Sequence, residues 1–240
     1  MKALVLGAGE GIRLRPLTLD KPKPMLPIAG KPLLEHTLLW LKSHGIVQVA
    51  INLHYRPEAI TGYLGDGARW GVEITYSHEN PILGTAGAAK KLDGYLDEPF
   101  VVVYGDVLTD LDLTALIGYH QRKGAMATIA LYRVENPLAC GLVALDEQGR
   151  ITRFVEKPPP DKVFTDLANA GVLVLEPEIL DHIPPGIPYD FGLDLLPRLV
   201  QEGVAINGYP IPGAAYLIDI GTLDKYERAQ QEWRDRGQQC

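Results

Sequence analysis

A chain of 240 residues with 46% hydrophobic content can bury a full core, which excludes a disordered tail or a small stapled scaffold. Its net charge of −7 argues against nucleic acid or an anionic membrane as a partner, and no apolar run reaches the ~18 residues of a membrane span. Cys140 and Cys240 lie far apart and outside any CxxC pattern, so a reducing, cytoplasmic setting is expected and a zinc site is not.

The first run, Lys2 to Leu6, is a short apolar strand that passes straight into glycines, which also argues against a secretory leader. Pro32 to His44 carries leucines at helical spacing, with proline at its start and Gly45 just past its end. Strands are predicted at Ile46 to Leu53, Val72 to Tyr76 and Phe100 to Tyr104. Helices are predicted between them at Arg56 to Leu64 and Thr85 to Leu92. Such alternation predicts an α/β fold whose central mixed, mostly parallel sheet is flanked by helices. After a helix at Leu113 to Lys123 the pattern changes. Short strand runs at Met126 to Val134, Gly141 to Leu145, Ile151 to Val155 and Leu167 to Leu175 suggest a smaller antiparallel lobe. Short helices near Ile179 and Leu195, a strand at Tyr216 to Asp219 and a helix from Leu223 complete the chain. A single domain over residues 1–240 is expected, with lobes 1–125 and 126–222 and a terminal helix 223–240.

Charge is unevenly spread. From Arg13 to Lys31 five basic residues (Arg13, Arg15, Lys21, Lys23, Lys31) meet one acid, Asp20, giving +4 and leaving −11 for the rest. A basic island in an acidic chain suggests a small anionic ligand. It overlaps "LGAGEGIRLRPLTLDKPKPMLP", where glycines after the first strand let backbone N–H groups approach phosphate oxygens. The dinucleotide fingerprint GxGxxG fails, because Ile12 stands at its third glycine and Asn52 at the acid ending the second strand. The Walker loop fails at Ile12, Arg13 and Leu14. The six histidines form no cluster with metal-ligand spacing, and no Ser-His-Asp arrangement is evident.

The segment "GAGEGIRLRPLTLDKPKPMLPIAGKPLLEH" resembles the signature of the sugar-1-phosphate nucleotidyltransferases, the NDP-sugar pyrophosphorylases. Ala8 stands where many members have glycine, and Ile12 replaces the usual threonine; backbone contacts to phosphate survive both changes. "NPILGTAGAAK", "VVVYGDVL", "FVEKP", "NAGVLVLEPEIL" and "YLIDIGTLDKYERA" resemble further family blocks, so the likeness runs over nearly the whole chain. The resemblance implies a Rossmann-like nucleotidyltransferase fold and transfer of a nucleotidyl group from an NTP to a sugar 1-phosphate. It leaves a homodimer open, and no hexapeptide-repeat extension is expected, since the chain stops after its last helix.

By the same resemblance, Leu6, Gly7, Gly9 and Gly11 hold the nucleotide, with Arg13 and Lys23 on its phosphates. Asp106 completes the catalytic set with Arg13 and Lys23, and Asp106 and Asp219 hold Mg²⁺. Both aspartates follow or end strands, where α/β ligands bind. Gly84 and Thr85 line the base, while Gly141, Glu156, Lys157, Asn169 and Gly171 take the sugar phosphate. Glu79, five residues before Gly84, either points to solvent or accepts the paired N1–H and N2–H₂ donors of guanine. That second possibility, with "LGTAGA", favours the mannose-1-phosphate guanylyltransferase branch. The alternatives are uridylyl or thymidylyl transfer to a hexose or amino-sugar 1-phosphate, and a non-catalytic nucleotide-sugar sensor.

Overall fold

The computed structural model describes residues 1–237, so Cys240 and the end of the expected helix 223–240 lie outside the described residues. The chain begins with strand β1 (Lys2–Leu6), the two-residue strands β2 (Pro27–Ile28) and β3 (Lys31–Pro32), and helix α1 (Leu33–Ser43). There follow β4 (Gln48–Leu53), α2 (Pro57–Leu64), β5 (Glu73–His78), α3 (Gly84–Lys91), β6 (Phe100–Tyr104), β7 (Val107–Thr109) and α4 (Leu113–Lys123). The rest comprises β8 (Ala127–Arg133), β9 (Gly141–Leu145), β10 (Ile151–Glu156), β11 (Leu167–Leu175), α5 (Leu196–Gln201), β12 (Ile206–Pro210), β13 (Leu217–Asp219) and α6 (Leu223–Gly237). The fold is mixed α/β, with a central, mostly parallel sheet flanked by helices, as the alternating runs predict. Among the described residues no helix is long and apolar enough to cross a membrane.

Two compact units divide the chain, and their segments interleave. The first takes Lys2–Ile82, Val103–Leu111 and the chain from Ala214 onward; the second takes Leu83–Val102 and Asp112–Gly213 together with Met1. The division therefore does not fall at residues 125 and 126.

In the first unit β1, β4 and β5 pair in parallel, with Leu6 opposite Asn52 and Leu53 opposite His78. Ala3, Leu4, Val5, Val49, Ala50 and Ile51 are fully buried, as continuous apolar runs in a sheet covered on both faces require. Helix α1 buries Leu33, Leu34, Leu38 and Leu41 completely, and Gly45 ends it in a left-handed turn. A second core gathers Leu14, Leu26, Ile28, Leu33, Leu108 and Ile218, with Tyr216, Tyr226 and Trp233 packed against it. It fastens the glycine-loop segment and the β7–β13 ladder to one apolar base. That ladder is antiparallel and sets Val107 opposite Asp219.

In the second unit β8 pairs antiparallel with β11 and parallel with β12, while β9 and β10 form an antiparallel pair. Helix α4 starts at Asp112, whose carboxylate accepts the Ala115 N–H, and stops at Gly124 in a left-handed conformation. Strand β12, "INGYP", is not among the predicted strands, and it carries Asn-Gly and proline, residues that favour turns. Pairing with β8 overrides that local preference.

Candidate active site

The end of β1 fixes the glycine loop. Gly7 N–H donates to Asn52 Oδ1 at 2.8 Å, and Asn52 Nδ2 in turn donates to Glu79 Oε1 at 2.7 Å. Glu79 is 3% exposed, so it does not point to solvent, one of the two orientations expected of it. Its Oε1 accepts from Asn52 Nδ2, so this oxygen braces the loop from behind. In the sequence Asn52 departs from the dinucleotide motif, and the signal of its bracing role is a lone amide within the apolar run "VAINL".

Beyond Gly7 the loop reaches the exposed Gly9 and then Gly11, which has φ 66°. A Cβ there would lie 2.9 Å from Thr18 Cγ2 and 3.1 Å from Lys23 Cβ, so only glycine lets the loop pass the lysine stem. A single 3-10 turn, Ile12–Leu14, then presents Arg13 to solvent while burying Leu14. A second, Lys23–Met25, sets Lys23 between the buried Pro22 and Pro24.

Lys23 Nζ donates to Asp106 Oδ2 at 2.6 Å, across 83 residues of sequence. Asp106 follows β6, whose exit is held by Gly105 N–H donating to the Leu6 carbonyl at 3.0 Å. The next residue opens β7, and the Ile220 N–H donates to the Asp106 carbonyl at 2.9 Å. This ladder brings Asp106 and Asp219 to the same end of one short strand pair. A Cβ on Gly221 would be 2.8 Å from Asp219 Oδ1 and 3.1 Å from Arg13 Nη2. Arg13 and Asp219 thus converge on one glycine. Lys225, in the first turn of α6, forms an ion pair with Asp219 Oδ2 and was not among the expected residues. Leu6, Gly7, Gly9, Gly11, Arg13, Lys23, Glu79, Asp106 and Asp219 therefore all belong to the first unit.

Two partly buried carboxylates suit Mg²⁺, which is commonly held by one or two carboxylates plus substrate phosphates. Among the described residues no group of three or more His, Cys, Asp or Glu could hold a metal ion alone. Phosphate oxygens and water would complete the coordination shell.

The remaining expected residues lie in the second unit. Gly84 opens α3 with φ 73°, and Thr85 Oγ1 donates to Asp190 Oδ2 at 2.8 Å while accepting the Phe191 N–H. Asp190, which is not among the expected site residues, also accepts the Gly192 N–H at 2.8 Å. Its signal was the D-x-x-x-D spacing of "DFGLD", in which Asp194 accepts the Asp190 N–H. Gly141 stands opposite Glu156 in the β9–β10 register. A Cβ on Gly141 would meet Glu156 Oε2 at 2.5 Å and Phe154 Cζ at 2.9 Å, so a larger residue here would push the Glu156 carboxylate out of its present place. Lys157 follows with φ 44° and its ammonium 3.6 Å from Glu156 Oε1. On β11, Asn169 Oδ1 accepts the Gly171 N–H at 2.9 Å.

Burial raises the Glu156 pKa above the ordinary carboxylate value; Asp190 adds to the rise and Lys157 opposes it. The folded state then binds this proton more readily than the unfolded chain. Stability falls as pH rises from the ordinary carboxylate pKa through the raised one, and the full cost persists at neutral pH. Glu156→Gln is therefore expected to raise Tm at neutral pH, with a gain that shrinks in acid. Thermal unfolding at both pH values checks this, and a lower Tm at neutral pH would contradict it.

Over residues 2–236 the chain matches the Nucleotidyl transferase family, and it belongs to that family. It is 41% identical over 243 residues to a UTP–glucose-1-phosphate uridylyltransferase from Synechocystis, covering 95% of this chain and 62% of that protein. To a mannose-1-phosphate guanylyltransferase from Mycobacterium tuberculosis it is 38% identical over 235 residues, covering 96% of this chain and 64% of the relative. The chain thus spans less than two thirds of either relative's length. Among solved structures, HddC from Yersinia pseudotuberculosis complexed with GMP-PN is similar with a TM-score of 0.81 and 27% identity. The alignment covers 97% of this chain and 99% of that one.

Proposed function

We propose that this chain transfers a nucleotidyl group from an NTP to a sugar 1-phosphate, with Mg²⁺ as cofactor, in the cytoplasm. The observation that carries the reading is the convergence of Lys23, Asp106, Asp219 and Arg13 at the end of the β7–β13 ladder. A phosphate oxygen of the sugar 1-phosphate attacks the α-phosphorus in line. A new P–O bond forms, the α–β bridging P–O bond breaks, and pyrophosphate leaves.

Two anions must first be brought together. At 4 Å and an effective dielectric near 20, each pair of unit charges repels by roughly 4 kcal/mol, so opposing charge is needed. Arg13 supplies a planar guanidinium to the leaving phosphates, and Lys23 a point charge near the reacting centre. Backbone N–H groups of Gly9 and Gly11 cradle the triphosphate, while Asn52 and Glu79 hold the loop in shape. When bound between Asp106 and Asp219, Mg²⁺ would neutralise phosphate charge. Gly84 and Thr85 line the base. Glu156 accepts hydroxyls of the sugar, Lys157 balances its phosphate, and Gly141, Asn169 and Gly171 shape the surrounding backbone.

Guanylyl transfer to a manno-configured sugar is the preferred substrate assignment, supported by the guanylyltransferase relative at 38% identity. Uridylyl transfer to glucose 1-phosphate is the second reading, supported by the uridylyltransferase relative at 41%. A matrix of the four NTPs and dTTP against several sugar 1-phosphates, with and without Mg²⁺, separates them by pyrophosphate release. GTP with mannose 1-phosphate is expected to be the fastest pair; GTP among the poorest donors would reject the guanine assignment.

A further inference from the structure

We propose that Lys225 is a built-in competitor for the divalent cation at Asp219, so that metal alone binds weakly and enters well only with the triphosphate. The inference rests on the proposed role of Asp219 as a metal ligand. Lys225 Nζ pairs with Asp219 Oδ2, and the other carboxylate oxygen accepts the Gly221 N–H at 3.2 Å. The lysine therefore occupies an oxygen that a cation would need. Nothing in the local helix explains the choice: Lys225 lies in the first turn of α6, where the helix dipole disfavours a cation. Its side chain instead finds its counter-charge in Asp219.

The pair is reversible by construction. The two side chains are 32% and 30% exposed, so water and ions reach them and the ion pair is weak. Asp106 is matched in the same way by Lys23, so both carboxylates are compensated by ammonium groups. The two lysines differ in freedom. Lys23 is set in a proline-flanked turn, whereas the flexible stem of Lys225 lets it swing from Asp219 toward an incoming phosphate. A bare cation has to displace Lys225 with nothing to receive its charge. A cation carried by a triphosphate brings oxygens that take up the released ammonium.

The test is Mn²⁺ binding in the absence of nucleotide, followed by electron paramagnetic resonance of free Mn²⁺, for wild type, Lys225→Met, Lys225→Arg and Asp219→Asn. Removing a charge this close is expected to tighten Mn²⁺ binding by on the order of 3- to 10-fold in Lys225→Met, while Lys225→Arg stays near wild type. Asp219→Asn is expected to weaken it. Equal or weaker binding in Lys225→Met, with Asp219→Asn still impaired, would overturn the competitor role and leave Lys225 as a support for Asp219. Unchanged binding in Asp219→Asn would overturn the metal-ligand reading and the inference with it. Thermal unfolding of each variant verifies that the comparison is between folded proteins.

Discussion

Lys23→Ala is expected to lower turnover by on the order of 10²-fold or more, as loss of a preorganised charge donor does, with little change in Tm. The large kinetic effect follows from placement. Pro22 and Pro24 are buried on either side of the lysine, and the turn is closed by Met25 N–H to Pro22 O at 2.8 Å and Leu26 N–H to Lys23 O at 3.1 Å. The backbone is thus set before substrate arrives, and only the side chain has to move from Asp106 to phosphate. The small stability effect follows from exposure. Side chains of Lys23 and Asp106 are 17% and 21% exposed, so the pair is partly solvated and contributes about 1 kcal/mol or less. Lys23→Arg is expected to rescue only partly, because a planar fork does not reproduce a compact point charge. Pyrophosphate release under saturating substrates measures all three proteins; near-normal turnover of Lys23→Ala would remove the lysine from the reaction.

Asp106→Asn is expected to lower turnover by about 10²- to 10³-fold, the effect of losing several kcal/mol of metal-assisted charge stabilisation. The amide keeps the shape of the carboxylate but not its charge, so the β6–β7 connection should fold normally. Two roles remain to be separated, since Asp106 is also the partner of Lys23. If it holds the metal, raising Mg²⁺ restores part of the rate; if it only positions Lys23, added Mg²⁺ changes nothing. Wild-type turnover of Asp106→Asn at ordinary Mg²⁺ would contradict both.

Much of the fold was legible because the apolar runs are long and their stops are chemically explicit. The leucines of α1 with Gly45 behind them predicted that helix to within a residue at each end. What escaped was short or decided by distant contacts. Strand β7 has three residues and exists through its pairing with β13, more than 100 residues later. Strand β12 carries turn-forming residues that only the β8 ladder straightens. The interleaved units escaped for the same reason, since residues 103–111 join the first unit through that distant ladder.

At the site, charge and motif picked out Arg13, Lys23, Asp106 and Asp219, and geometry then drew them together. Sequence position was less informative about who satisfies whom. A carboxylate such as Glu79 reads alike whether it faces a base or a buried amide, and only burial against Asn52 exposes the bracing contact. Lys225 carries no signal of its own in the sequence, and its meaning lies in an ion pair with Asp219 six positions earlier. Asp190 was similarly hidden, because its partner Thr85 is 105 residues away.

The central claim is nucleotidyl transfer, and the most direct test follows both products of one turnover. With Mg²⁺, α-labelled GTP and mannose 1-phosphate, or α-labelled UTP and glucose 1-phosphate, label is predicted to appear in an NDP-sugar in step with pyrophosphate, and only when both substrates are present. Tight nucleotide binding with no labelled sugar product from any NTP and sugar 1-phosphate would contradict the account and mark the chain as a sensor.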